Sequence, residues 1–140
     1  MNQTSEAFLK ALLESPSPSG FEQPAAACWR EYVKGSVDQL IPDVHGNTIA
    51  VLNPEAEFKF MLAGHIDEIG LIITHIDDKG FIYTAQIGGM DPSLLIGQRV
   101  KIMTKKSDVF GVIGRKAIHQ MKPDERKKTV EMENIWVDIG

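Results

Sequence analysis

The chain has 140 residues, 43% hydrophobic and 24% charged, with 15 Lys and Arg against 19 Asp and Glu for a formal charge of −4. That length suits one domain able to remove roughly two-thirds of its unfolded surface from water, and the apolar fraction argues against intrinsic disorder. No run of about 18 apolar residues is available for a membrane span, one cysteine (Cys28) excludes an intramolecular disulfide framework or a Cys-rich zinc cage, and Met1 to Glu6 lacks secretory features, so a cytoplasmic location is expected.

The first predicted element is a helix capped by Thr4 or Ser5, with Phe8, Leu9, Ala11, Leu12 and Leu13 as its apolar stripe. Ser15-Pro16-Ser17-Pro18-Ser19-Gly20 stops it, because neither proline continues the hydrogen-bond ladder. A second helix opens near Pro24 and runs to about Lys34, with Cys28 beside Trp29 as a core residue. From Val37 the period changes to two. Val37 to Ile41 and Thr48 to Leu52 read as strands joined by a turn at His45-Gly46-Asn47. Phe58 to Gly64 is almost wholly apolar, as expected of a strand buried on both faces. Two helices beside a sheet make a layered α/β opening.

After Glu68 the helical period vanishes. Ile69 to Ile76 and Phe81 to Ile87 form a hairpin around Asp77-Asp78-Lys79-Gly80. Arg99 to Thr104, Val109 to Ile113 and Ile135 to Ile139 complete a set of short strands, punctuated by glycines that suit a small barrel. Lys122 to Lys128 is a charged loop or helical turn. Between Gln98 and Lys128 there are 10 basic and 3 acidic residues. Such a stretch invites a nucleic-acid reading, but Phe110 is its one aromatic residue, so no stacking platform interleaves the charges. A solvated surface is the better reading.

Chemistry concentrates in Met61-Leu62-Ala63-Gly64-His65-Ile66-Asp67-Glu68-Ile69-Gly70. An apolar strand delivers His65 at its C-terminal end, where open α/β sheets place ligands. In extended backbone, residues two apart point to one side, so the Asp67 carboxylate lies near the His65 imidazole while Glu68 points away. Imidazole is a good ligand for zinc or cobalt, and a neighbouring carboxylate fixes its orientation and tautomer.

Beyond this pair, several segments recur in order. They are Ser17-Pro18-Ser19-Gly20-Phe21-Glu22, Asp43-Val44-His45-Gly46-Asn47 and Ala63-Gly64-His65-Ile66-Asp67-Glu68-Ile69-Gly70. Gly88-Gly89, Gly97-Gln98-Arg99-Val100, Gly111-Val112-Ile113-Gly114 with His119, and Trp136-Val137-Asp138-Ile139-Gly140 follow. With these motifs the chain resembles the N-terminal portion of the binuclear metal aminopeptidases, which include glutamyl and deblocking aminopeptidases, the TET aminopeptidases and relatives labelled cellulase M. Ala117 stands where relatives often have proline.

The resemblance implies a fold: the N-terminal part of a zinc-peptidase-like α/β sandwich over residues 1–69, then a small β-barrel-like inserted, dimerisation-type domain over 70–140, both incomplete. It implies that His65 is the first ligand of a two-metal centre holding zinc or cobalt, and that Asp67 supports it as a residue of the catalytic site. It implies peptide substrates and a homo-oligomer; no membrane or nucleic-acid partner is expected, given the lack of an apolar span and of aromatics among the basic residues. The family's bridging aspartate, catalytic glutamate, remaining carboxylates and last histidine lie further along longer chains, so these 140 residues are expected to be inactive alone.

The other candidates read as structural. Asp77 and Asp78 are turn formers, Glu131 and Glu133 alternate on a solvated strand approach, and His75 is a partly buried strand residue. His45 belongs to a turn and His119 to a loop. No phosphate loop or serine elbow is present. The alternative reading is a non-catalytic interaction module built on residues 70–140. A glucanase would need two carboxylates across a sugar cleft, and nothing singles out such a pair.

Overall fold

Asn2 starts the first helix, α1 (Gln3–Glu14): its side-chain oxygen accepts the Ser5 N–H at 2.8 Å. The expected caps, Thr4 and Ser5, therefore lie inside the first turn, and Ser5 supplies the orphan donor that asparagine satisfies. The apolar stripe is narrower than its sequence suggests, because Phe8 and Leu12 are half-buried while Leu9 and Leu13 are exposed. Helix α2 (Gln23–Val33) carries proline in its first turn and buries Ala25 and Ala26. Phe8 stacks on Tyr32 with ring centroids 3.8 Å apart, and the Ser5 and Tyr32 hydroxyls meet at 3.0 Å, joining the two helices. Cys28, expected in the core, is only half-buried.

The structure, a computed structural model, describes residues 2–140 and divides into two units, Met1–Glu68 and Ile69–Gly140. The first unit adds an antiparallel hairpin of β1 (Gln39–Pro42) and β2 (Thr48–Val51), with Gln39 opposite Val51 and Pro42 opposite Thr48. The expected buried strand at Phe58 to Gly64 is absent, and these residues form neither strand nor helix. Phe58, Phe60, Met61 and Leu62 are 77 to 87% exposed. An apolar run becomes a strand only beside another that takes up its N–H and C=O groups, and β1 and β2 pair with each other alone. His65 accordingly does not end a central strand.

The second unit is an antiparallel sheet of five strands: β3 (Gly70–Ile76), β4 (Ile82–Ile87), β5 (Arg99–Ile102), β6 (Val109–Arg115) and β7 (Ile135–Asp138). Its order is β3-β4-β7-β6-β5, which leaves β3 and β5 at the edges. Ile113 lies opposite Val137 and Arg115 opposite Ile135. Ile135 and Val137, two apart, share one face and bury with Ile82 and Ile113, while Trp136 on the other face tilts against Phe81. Each such aliphatic side chain contributes about 1.5–3 kcal/mol on full burial. The register slips at Thr74, between Ile73 and His75.

Candidate functional site

The segment after α1 brings distant residues to Asp67. Ser15 closes the helix, and Pro16 cannot continue it. Ser17 is then buried: its N–H donates to Glu68 Oε1 at 3.0 Å and its carbonyl accepts from Glu68 N at 2.9 Å. Pro18 forms a parallel bridge with Glu68. The chain next turns tightly, with the Phe21 N–H donating to Pro18 O at 2.7 Å and Gly20 at φ +91° in the third position, where a type II turn needs glycine. Ser19, second in that turn, donates its hydroxyl to Asp67 Oδ2 at 2.5 Å.

His65 meets the other oxygen. Its Nδ1 lies 2.9 Å from Asp67 Oδ1 and 3.1 Å from the Asp67 carbonyl oxygen. Both neighbours are acceptors, so in the neutral ring the proton belongs on Nδ1. Nε2 keeps its lone pair on a side chain that is 86% exposed. The Ser19 hydroxyl, with the His65 ring behind it, holds the Asp67 carboxyl below its ordinary value of 3.8. A carboxylate on Nδ1 with Nε2 free is the arrangement in which histidine ligates a divalent metal, so these residues fit the expected ion. Among the described residues no three His, Cys, Asp or Glu side chains converge, which makes the pair one corner of any such centre.

The remaining candidates lie elsewhere in the chain. Asp77 closes its turn by accepting from Lys79 N and Phe81 N, each at 2.9 Å, and Asp78 is exposed. His75, expected to be partly buried, stacks on Tyr83 with centroids 4.5 Å apart and is exposed, as is every residue of the edge strand β3 from Ile72 to Ile76. Glu131 and Glu133 do not alternate along a strand, since Met132–Asn134 is a 3-10 turn. His119 occupies another short 3-10 turn, Ile118–Gln120, and His45 sits in the β1–β2 turn. Ser17 to Glu22 is one of the motifs that carry the resemblance, but nothing in it assigns Ser19 to Asp67 or Ser17 to Glu68. A serine between two turn-forming neighbours reads as punctuation, and its partner is 48 positions away.

A family model described as M42 glutamyl aminopeptidase matches residues 46–140. The chain belongs to the M42 glutamyl aminopeptidase family. Lysyl aminopeptidase of Pyrococcus furiosus is 33% identical over an alignment covering 95% of this chain and 39% of that protein. The TET aminopeptidase from the marine sediment archaeon Thaumarchaeota archaeon SCGC AB-539-E09 superposes with a TM-score of 0.92 at 36% identity, covering 97% of this chain and 38% of that one. The TET1 peptidase of Pyrococcus horikoshii, which can assemble into a tetrahedron or a large octahedral shell, matches with a TM-score of 0.83 at 31% identity over 99% of this chain and 41% of its own. This M42 chain thus shares their mixed α/β fold and spans 38 to 41% of their length. Among its described residues no helix is long and apolar enough to cross a membrane.

Proposed function

We propose that this chain is the N-terminal, ligand-bearing portion of a metal-dependent aminopeptidase that removes N-terminal residues from peptides. The observation that carries this reading is the hydrogen bond from His65 Nδ1 to Asp67 Oδ1, which leaves Nε2 free within the stretch that matches the family. His65 would hold one of two divalent ions, zinc or cobalt, and Asp67 would orient its ring. Such an ion pair supplies a water made nucleophilic near neutral pH and a polarised peptide carbonyl. The chain's own contribution is to fix one imidazole and keep its proton on Nδ1.

In this reading residues 1–69 are part of the sandwich that carries the metals. Residues 70–140 are part of a barrel-like insert through which copies associate, as the relatives' shells suggest. A cytoplasmic location accords with a single cysteine, which leaves no intrachain disulfide to form.

The test is a hybrid in which residues 1–140 replace the matching part of the Pyrococcus furiosus lysyl aminopeptidase. The hybrid is expected to hydrolyse aminoacyl chromogenic substrates with zinc or cobalt. His65→Ala is expected to lower turnover at least about 100-fold, as loss of a ligand does, whereas the 140 residues alone give none. A folded hybrid indifferent to His65→Ala overturns the reading.

A further inference from the structure

Asp67 uses both carboxylate oxygens, one for His65 and one for Ser19. A carboxylate held by the imidazole alone can rotate about its own side-chain torsions and carry the ring with it. A second hydrogen bond to the opposite oxygen fixes the carboxylate plane. Ser19 is itself held, because Ser17 and Glu68 exchange two hydrogen bonds and Gly20 permits the tight turn.

We propose that Ser19 is a positioning residue for His65: its hydroxyl fixes the carboxylate that takes the Nδ1 proton, so that Nε2 is the nitrogen offered to a divalent ion. The metal half of this statement rests on the aminopeptidase reading. The positioning half stands on the hydrogen bonds alone. Neutral imidazoles left to themselves favour the proton on Nε2, which would block the outward nitrogen.

Ring-nitrogen NMR of His65 in the whole 140-residue chain, metal-free and with the ring neutral, reads the tautomer directly. The wild type is expected to show the Nδ1–H form. Ser19→Ala is expected to lose that preference, and Ser19→Thr, which keeps the hydroxyl, to restore it. Ser19 is exposed, so alanine leaves no cavity; Ser19→Cys, a weak donor of similar size, gives the same reading should the alanine variant misfold. An unchanged Nδ1–H signature in a folded Ser19→Ala or Ser19→Cys chain overturns the positioning role.

A cobalt titration separates the two halves, with His45, His75 and His119 as internal controls. In the wild type His65 is expected to broaden at lower cobalt than the other three, and Ser19→Ala to raise that concentration about tenfold, the lower end for loss of an outer partner. Equal broadening of all four histidines overturns the metal reading, while the tautomer measurement still decides the role of Ser19.

Discussion

At Gly111 a methyl group has nowhere to go. A Cβ there would lie 2.5 Å from Val137 Cγ1 and 2.9 Å from the Asp138 carbonyl oxygen. Relief would require β7 to shift, and β7 carries two of the four buried aliphatics of the second unit. Gly111→Ala is expected to destabilise the protein by about 1–3 kcal/mol, the usual range for overpacking, read as a lower denaturant midpoint at unchanged slope. Unchanged stability would mean that the strands are not this close. The sequence shows Gly111 as a glycine in a strand and in a motif, and the neighbour that crowds it sits on another strand. His65 and Asp67 show the opposite case. Their relation is local, between side chains two residues apart, and so can be read from the chain. Ser19 cannot be read that way, because its role exists only once Glu68 has paired with Ser17.

The β1–β2 hairpin depends on one carboxylate. Asp43 Oδ2 accepts from the Asn47 side-chain amide at 2.7 Å, and Oδ1 accepts from the His45 and Asn47 backbone N–H groups, each at 2.9 Å. The Asn47 side-chain bond is the main reason that Asp43 ionises below its ordinary value of 3.8. The folded hairpin therefore favours the carboxylate more than the unfolded chain does. That stabilisation is complete above the ordinary carboxylate range and fades as pH falls through the lowered value. Asp43→Asn keeps an acceptor but not the charge, so its deficit against wild type is expected to shrink as pH is lowered from about 5 into the acid range below the ordinary value of 3.8. Melting curves of the two chains across that range check it, and a constant deficit refutes it. The helices and most strands were legible as elements, because capping residues, prolines and period-two alternation act within a few residues. Phe58 to Gly64 was not, since hydrophobicity fixes what a strand buries and leaves open whether a partner lies beside it.

For the whole molecule the same point governs topology. Period-two alternation says that β3 to β7 are strands but does not order them, and the order β3-β4-β7-β6-β5 depends on pairings far apart in sequence. It also leaves β3 on an edge with Ile72, Ile73 and Ile76 exposed, while the first unit exposes Phe58, Phe60, Met61 and Leu62. Unpaired edges and contiguous apolar side chains favour association with further copies. The basic stretch from Gln98 to Lys128 opposes a close symmetric contact unless exposed acids such as Glu55, Glu57 or Asp91 meet it. The two forces respond differently to salt. At about 1 M the screening length falls to about 3 Å, so contacts between charges weaken while apolar ones persist. Light scattering is therefore expected to find the chain associated at low salt and still associated at about 1 M. A monomer under both conditions defeats the prediction, and an assembly that dissolves in salt assigns the contact to charge instead of to the exposed apolar residues.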